Sequence, residues 1–268
     1  MKSKLYLEKK SKQYRLELFK KFVLLSQGHP GSIFSMMDLV VCLFHNKYVR
    51  FDKKSKKFID KVIVSKGHAT SALYPVLRDF GLIKKNDFEN WGKKKDTKLR
   101  IFGNNSIPGI DVTSGSLGHG VGIGVGLAYS YKNDRINKKV YVIISEGELY
   151  EGSTWEALLF ASHYRLDNLV IIIDINSLII LGKTEKCIKL DPIVKKISSF
   201  NLNVIKCNGH NFKSINTSLG KIKKNVTNCI LAKTIKGKGF SIMENKPNWH
   251  YWNKMSPKEI QKCLKEIS

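Results

Sequence analysis

A run of polar residues follows a short apolar stretch near the middle of the chain, and its side chains are of the kind that hold metal ions. Residues 140–144 are all β-branched or aromatic, and Ser145-Glu-Gly-Glu-Leu-Tyr-Glu-Gly152 follows at once. A second apolar stretch leads into Asp174-Ile-Asn-Ser-Leu178. Carboxylate, amide and main-chain carbonyl oxygens are the donors that Mg²⁺ and Ca²⁺ prefer. If these stretches are neighbouring strands, Glu146 and Asn176 meet in a metal site; the alternative is a pair of capped helix starts, and spacing alone favours neither.

Glycines recur in the segment 115–126, which reads Gly-Ser-Leu-Gly-His-Gly-Val-Gly-Ile-Gly-Val-Gly. Its GxGxxG-like spacing is typical of dinucleotide sites, but nothing before it resembles a strand and no acidic residue closes a following strand. A simpler interpretation is a helix packed closely against another backbone, with Gly118, Gly122 and Gly126 on the contact side.

Three histidines lie in glycine-rich or irregular segments. His29 is part of Gly28-His-Pro-Gly31, His68 comes soon after the apolar residues 61–64, and His250 lies between Trp249 and Tyr251. Any one histidine is more often structural than functional. Polar residues on loops of a rigid scaffold often carry function, however, so three of them together indicate a site.

The elements that must position these residues alternate between strands and helices. Strands are predicted at residues 61–64, 140–144, 169–174, 203–206 and 228–234. Helices are predicted between the later strands at residues 151–164, 191–200 and 211–221. Parallel strands require crossover connections, so the fold class is α/β, a parallel sheet with helices on both faces. Ligands of such sheets bind at the carboxyl ends of the strands.

The chain begins with a helical segment that covers about residues 1–60. Apolar residues predict an amphipathic helix that ends near Gly28, and a second helix over 35–45 with Ser35 as its N-cap. No repeat, low-complexity tract or linker divides the sequence. A single domain over residues 1–268 is therefore expected.

Lysine dominates the charge of the chain. Lys and Arg together number 47 against 22 Asp and Glu, a net charge of +25, yet only six are arginines. Arginine is the preferred residue for bidentate phosphate and base contacts, so nucleic acid is not the expected partner and the lysines are interpreted mainly as solvated surface.

Five cysteines without a CxxC pair predict reduced thiols and no zinc site. No apolar run is long enough for a membrane span and none forms a signal core, which favours the cytoplasm.

Nine motifs, in family order, resemble the N-terminal, thiamine diphosphate-binding part of transketolase. They are Gly-His-Pro-Gly-Ser at 28–32, Val-Ser-Lys-Gly-His-Ala at 64–69, Pro-Gly-Ile-Asp at 108–111, Thr-Ser-Gly-Ser-Leu-Gly at 113–118, Gly-Glu-Leu-Tyr-Glu-Gly at 147–152, Trp-Glu-Ala at 155–157, Tyr-Arg-Leu-Asp-Asn-Leu at 164–169, Ala-Lys-Thr-Ile-Lys-Gly-Lys-Gly at 232–239 and Trp-His at 249–250. The resemblance implies the thiamine diphosphate-binding fold for nearly the whole chain.

The resemblance also implies which residues hold the cofactor. The metal ligands are Glu146, Asn176 and the carbonyl of Leu178, with Mg²⁺ as the expected ion and Ca²⁺ or Mn²⁺ as alternatives. The residues expected to contact thiamine diphosphate are His68, Gly115, Ser116, Leu117, Glu146, Gly147, Asn176 and His250.

Catalytic roles are implied for four residues. His29 and His250 match residues that hydrogen-bond the substrate hydroxyls and help to move protons, and His68 matches a residue that meets the cofactor diphosphate. Glu151 matches the acid that links one active site with the next across a dimer interface.

The implied reaction moves a two-carbon ketol unit from a ketose phosphate to an aldose phosphate, as in the pentose phosphate pathway. Full-length transketolase continues into a pyrimidine-binding domain, so this chain resembles the N-terminal subunit of a split transketolase. Its expected partner is a C-terminal subunit, in a heterotetramer with two copies of each. The alternatives are the cofactor-binding half of another such enzyme, deoxyxylulose phosphate synthase above all, and a degenerate subunit that binds without catalysis.

Several positions depart from the family pattern. Gly-Asp-Gly-Glu of the family is Ser145-Glu-Gly-Glu here, no histidine lies within 99–107 where Phe102 is found, His119 replaces glutamine, and Leu181 replaces aspartate. The longer Glu146 leaves two outcomes open. We expect Glu146→Asp to tighten magnesium-dependent cofactor binding, because Mg²⁺ tolerates little departure from its preferred distances; the alternative is a backbone already adjusted to glutamate, in which case the shorter side chain does not reach the ion.

Overall fold

A computed structural model describes residues 1–93 and 98–267, in which helices and strands alternate after a helical beginning. The strands are β1 (Phe51–Asp52), β2 (Lys57–Phe58), β3 (Lys61–Val64), β4 (Val140–Ser145), β5 (Leu169–Ile175), β6 (Leu178–Ile179), β7 (Gly182–Lys183), β8 (Asn203–Asn208) and β9 (Asn228–Lys233). The α-helices are α1 (Lys4–Leu25), α2 (Pro30–Ser35), α3 (Met37–His45), α4 (Tyr74–Asp79), α5 (Lys85–Asn90), α6 (His119–Asn133), α7 (Gly152–His163), α8 (Thr184–Cys187), α9 (Ile193–Ser198), α10 (Phe212–Gly220) and α11 (Pro257–Ile267). Short 3₁₀ helices span Gly67–Leu73, Glu146–Tyr150 and Pro247–His250.

Five of the strands form one parallel sheet in the order β3-β4-β5-β9-β8. At its carboxyl edge Ser145 lies opposite Asp174, and Asp174 lies opposite Ala232. The register therefore brings Glu146, just after β4, beside the end of β5. The predicted α/β class, a parallel sheet with helices on both faces, is confirmed.

Each face of the sheet is covered by apolar side chains from a different set of helices. Tyr141 and Ile143 of β4 belong to a cluster with α1 to α5, α10 and α11. Val142 and Ile144 of the same strand belong to a second cluster with α6, α7 and α9. Burial on both faces explains why the central strands β4 and β5 are nearly all apolar, whereas the edge strand β8 also carries polar residues. Within residues 1–93 and 98–267 no helix combines the length and apolar content needed to cross a membrane.

The second predicted helix is α3, which begins two residues later than expected, and the prediction that Ser35 caps it is wrong. α2 already begins at Pro30, where proline is tolerated because the first amide of a helix has no internal partner. Ser35 is the last residue of α2, and α3 follows from Met37. The Ser35 hydroxyl donates to the Asp174 carboxylate at 2.5 Å, so the residue links α2 to β5.

The glycine-rich segment forms α6, as predicted, but different glycines make the close contact. A Cβ on Gly120 would overlap Ser65, and one on Gly124 would overlap the Val142 side chain of β4. Gly118 precedes the helix with a φ of +78° and abuts Glu151. At Gly122 and Gly126 a Cβ would meet no described atom within 4 Å, so the expected contact at these two positions is wrong.

We expect alanine at these glycines to have opposite effects. Gly124→Ala should lower the free energy of unfolding by about 1–3 kcal/mol because its methyl group overpacks the contact with Val142. Gly122→Ala, the matched control on the open side, should raise it by about 0.5–1 kcal/mol through helix propensity. Urea denaturation of both variants measures the difference. Equal stabilities would show that α6 does not lie on β4 in this orientation.

Candidate functional site

A buried ion pair joins the strand ends at the carboxyl edge of the sheet. The Lys66 ammonium, after β3, contacts the Asp174 carboxylate of β5, and both side chains are fully buried. Lys66 also donates to the Ser32 carbonyl at 2.8 Å, and Asp174 accepts from Ser35 and Thr234. Burial raises the pKa of Asp174, but the Lys66 charge and the hydrogen bonds outweigh it and hold the pKa below its usual value. One pair thus links α2, β3, β5 and the segment after β9.

Three histidine rings converge beside this pair. The ring centroids of His29 and His68 are 5.0 Å apart, those of His68 and His250 5.2 Å, and those of His29 and His250 5.6 Å. His29 directly precedes α2, His68 follows β3, and His250 ends the 3₁₀ helix that precedes α11. The predicted histidine cluster is therefore present as a geometric feature.

The three imidazoles are held in their neutral form. Burial, and then the Lys236 charge, lowers the pKa of His29 to about 4. The same two causes, followed by the charges of His29 and Lys66, lower the pKa of His250 to about 3. Burial also holds the pKa of His68 well below its usual value. Neutral imidazoles can both donate and accept hydrogen bonds, which suits contacts with hydroxyl groups.

One of these rings has an unused polar atom. His29 Nδ1 is buried and has no hydrogen-bond partner among residues 1–93 and 98–267. Aromatic rings of Phe102 and Tyr251 lie 5.5 and 5.0 Å from the His29 ring, and both are exposed. Buried polar atoms are normally satisfied, so this nitrogen is free for a ligand. Phe102 belongs to the segment 99–107, in which the family pattern has a histidine and this sequence has none.

The carboxylate and amide expected to bind a metal ion lie on neighbouring strand ends. Glu146 accepts from the Ser177 amide at 2.7 Å and from the Thr184 hydroxyl at 2.8 Å. Asn176 Oδ1 accepts from the Leu178 amide at 3.2 Å. These groups line a cavity of about 1060 Å³ at the ends of β5, β8 and β9. Both oxygens of Glu146 thus have partners in the segment after β5.

The environment of Glu146 fits a bound cation. Its side chain is buried, burial raises its pKa, and Asp174 and Asp191 raise it further. In the described part of the chain no lysine, arginine or histidine forms an ion pair with it. No group of three His, Cys, Asp or Glu side chains is found there either, so a metal would depend on amide and carbonyl oxygens. A carboxylate, an amide and a carbonyl are the hard donors of Mg²⁺ or Ca²⁺.

The other two acids of the segment 145–152 have different surroundings. Glu148 accepts from the amides of Ser145 at 2.8 Å and Gly118 at 3.1 Å, and from the Ser65 hydroxyl, so it fixes the turn after β4. Glu151 lies beside Gly118, where α6 and α7 begin. The alternative of a helix cap therefore holds for Glu148, whereas Glu146 faces the cavity.

The segment expected to line the cofactor packs against the loop of His68. A Cβ on Gly67 would come within 2.6 Å of the Gly115 nitrogen, so only glycine fits there. Gly115 itself faces open space and is followed by exposed Ser116 and half-buried Leu117. On the other side, a Cβ on Gly147 would lie 3.1 Å from Ile179 of β6.

Two lysines of the site were not singled out from the sequence. Lys66 and Lys236 are fully buried, although the lysine excess was interpreted mainly as solvated surface. Lys66 lies two residues after a buried strand and just before Gly67 and His68 of the site. This position in the sequence, and not the overall lysine content, is what indicates that Lys66 is part of the site. Lys236 likewise follows β9 within a glycine-containing segment.

Comparisons with known proteins agree on one family. The family described as "Transketolase, thiamine diphosphate binding domain" matches residues 15–265. One subunit of the apulose-4-phosphate transketolase of Actinobacillus succinogenes is 35% identical, over 97% of this chain and 95% of that protein. The protein of the same name from Phocaeicola vulgatus is 32% identical, over 98% and 94%. Human transketolase is 33% identical over 90% of this chain, which corresponds to 38% of its own length. The crystal structure of transketolase from Campylobacter jejuni matches with a TM-score of 0.89 and 25% identity, over 99% of this chain and 43% of that one.

Removal of one partner of the buried ion pair should be costly. Lys66→Met leaves the Asp174 carboxylate buried without its cation, and we expect the free energy of unfolding to fall by about 3–5 kcal/mol in urea denaturation at pH 7. Lys66→Met combined with Asp174→Asn should recover part of the loss because neither charge remains.

Lys61→Met is the matched control, because the Lys61–Asp111 pair is partly exposed and should contribute less than about 1 kcal/mol. If Lys66→Met costs no more than this control, Lys66 does not stabilise the edge of the sheet.

Proposed function

The chain belongs to the transketolase family as its thiamine diphosphate-binding domain, and on this premise we propose that it is the N-terminal subunit of a split transketolase. The subunit would act in the transfer of a two-carbon ketol unit from a ketose phosphate to an aldose phosphate, as in the pentose phosphate pathway. The observation that carries the proposal is the meeting of Glu146 and Asn176 at the same sheet edge as three neutral histidines. The first group suits a cation, and the second suits a ligand rich in hydroxyl groups.

We assign the cofactor to this edge. Mg²⁺ would be held by Glu146, Asn176 and the Leu178 carbonyl, and would neutralise the buried carboxylate. The residues proposed to contact thiamine diphosphate itself are His68, Gly115, Ser116, Leu117, Gly147 and His250. When bound, the cofactor supplies the carbanion-stabilising chemistry of the reaction.

The histidines bind and orient the sugar. His29 offers its unpartnered Nδ1, and His250 offers a ring nitrogen on the side away from Lys236. Because these imidazoles stay neutral near pH 7, both can form hydrogen bonds with hydroxyl groups, and the unpartnered nitrogen of His29 can accept a proton from a hydroxyl group and return it. His68 packs against both rings and contributes a third imidazole to the same polar surface.

A partner subunit is part of the proposal. The two bacterial relatives, each named as one subunit of an enzyme, match this chain over nearly their whole length. α6 and α7 also share an apolar face with large exposed side chains, namely Ile123, Tyr129, Leu159, Phe160 and Tyr164. Gly122 and Gly126 are exposed on α6, so a second helix can approach closely. We propose that this face and Glu151 take part in a heterotetramer with two copies of each subunit. The compartment proposed for this assembly is the cytoplasm, because all five cysteines are free thiols.

A non-catalytic binding subunit is the second candidate. Phe102 lies beside His29, in the region where relatives place a further histidine, and Leu181 is almost fully exposed where relatives have aspartate. Both changes remove polar contacts for a sugar. In that case the assembled pair would bind thiamine diphosphate without transferring a ketol unit.

Shortening Glu146 should weaken the cofactor site. We expect Glu146→Asp, Glu146→Ala and Asn176→Ala each to reduce magnesium-dependent binding of thiamine diphosphate by about tenfold or more, because Asp does not reach Ser177 and Thr184 and alanine offers no donor. Calorimetric titration of the reconstituted pair at fixed Mg²⁺ measures this.

Glu185→Ala is the control, since Glu185 is exposed on the same cavity and is not among the described hydrogen-bond partners of Glu146. Tighter binding by Glu146→Asp would show that the site does not need the longer side chain. Unchanged binding in all three variants would show that the metal ion binds elsewhere.

Activity should depend on the partner. The isolated chain should not transfer a ketol unit, and addition of a C-terminal transketolase subunit should restore transfer, because we propose that the partner subunit supplies the pyrimidine-binding half. Apulose 4-phosphate is the first donor to test, since both bacterial relatives carry it in their names. Product formation from a ketose phosphate and an aldose phosphate is the measurement. Full activity of the single chain would refute the split-subunit proposal.

A further inference from the structure

Lys236 is a buried cation that faces a histidine. It follows β9, its side chain is 1% exposed, and its Nζ lies 3.2 Å from His250 Nδ1. Lys66, by comparison, is paired with Asp174. Among residues 1–93 and 98–267 Lys236 forms no ion pair with a carboxylate. A buried ammonium is costly unless its donors are satisfied, so its contact with His250 needs a reason.

The surrounding backbone holds Lys236 in this position. A Cβ on Gly31 would lie 3.0 Å from both Cγ and Cε of Lys236, so the lysine side chain lies along the glycine of α2. The Gly237 amide donates to the Gly31 carbonyl at 2.9 Å, and the Asn245 amide donates to the Lys236 carbonyl at 3.0 Å. The direction of the side chain is thus fixed by packing before any ligand binds.

The protonation states decide which atom donates. Burial and the Lys66 charge lower the pKa of Lys236 to about 8, against the opposing effect of Asp174, so the ammonium predominates at pH 7. An ammonium group has no lone pair and can only donate. His250, whose pKa is about 3, is neutral. Its Nδ1 must therefore accept from Lys236, and its proton must be on Nε2.

We propose that Lys236 is a positioning residue that fixes the tautomer of His250, so that Nε2–H is presented as a hydrogen-bond donor to the ligand. In the described part of the chain Nε2 has no hydrogen-bond partner. Its acceptor would be a hydroxyl or phosphate oxygen. The identity of that acceptor rests on the proposed function, whereas the tautomer does not.

The same contact orients the ring. His250 packs against His29, His68 and Tyr251, with centroid distances of 5.6, 5.2 and 4.9 Å. These ring contacts limit the plane of the imidazole but do not distinguish its two nitrogens. Lys236 provides that distinction, because only one edge of the ring faces the ammonium.

Long-range proton–nitrogen NMR of the full chain with ¹⁵N-labelled histidine tests the proposal. His250, assigned through the loss of its signals in His250→Gln, should show a protonated Nε2 and an unprotonated Nδ1 at pH 7. The Nδ1 shift should change again with a midpoint near pH 8 as Lys236 loses its proton. A proton on Nδ1, or an Nδ1 shift that stays constant between pH 7 and 10, would overturn the proposal in the wild-type chain itself.

Variants separate the charge of Lys236 from its bulk. In Lys236→Met we expect a mixture of both His250 tautomers and a pKa of His250 above about 3, while burial, His29 and Lys66 still hold it below the usual value. Lys236→Arg, which keeps a cationic donor, should retain the Nε2–H form. Lys238→Met is the control, because Lys238 lies two residues away, is partly exposed and pairs with Glu244 at 3.2 Å.

Unchanged His250 signals in Lys236→Met would overturn the inference without touching the ketol-transfer proposal. Conversely, absence of thiamine diphosphate binding by the reconstituted wild-type pair would defeat the proposed function and leave the tautomer result intact.

Discussion

The structure of the site depends on the ion pair between Lys66 and Asp174. Asp174 lies near the end of β5, two residues before Asn176, and Lys66 precedes His68 by two residues. The pair also forms hydrogen bonds with Ser32 and Ser35 of α2, the helix that follows His29, and with Thr234, two residues before Lys236. The segments that carry His29, His68 and Asn176 are thus tied to one buried pair. Removing one partner of a buried pair generally costs more stability than the intact pair contributes, so we interpret the Lys66–Asp174 pair mainly as a constraint on geometry.

The charges at this edge are arranged for a ligand with both a cation and an anion. On one side a buried carboxylate, Glu146, has no cationic partner among the described residues. On the other side burial, with the charge of Lys236 as a further cause, lowers the pKa of His29, His68 and His250, so the imidazoles stay neutral beside the buried lysines. A metal ion bound to a diphosphate satisfies both sides at once. The site is therefore polar and prepared before binding, which reduces the reorganisation that binding requires.

Much of this architecture could be predicted from the sequence. The apolar runs of β4 and β5 and the alternation of strands with helices predict the parallel sheet, and the adjacency of β4 and β5 then places Glu146 near Asn176. The contacts that sequence reasoning missed depend on three-dimensional packing. Burial of Lys66 and Lys236 is invisible where lysines are spread along the whole chain, and the glycines of α6 that face β4 follow from the rotation of the helix, which a spacing of four residues does not determine. The role of Ser35 likewise required its distant partner Asp174.

The position of the metal ion is the decisive observation for this site. Crystals of the assembled subunits with thiamine diphosphate and Mn²⁺, measured at the manganese absorption edge, locate the ion by its anomalous scattering. We expect one peak per copy of this chain, at coordination distance from Glu146, Asn176 and the Leu178 carbonyl, with the diphosphate bound to the same ion. A manganese peak away from these three groups, or a diphosphate that lies apart from the histidine cluster, would contradict the proposed site.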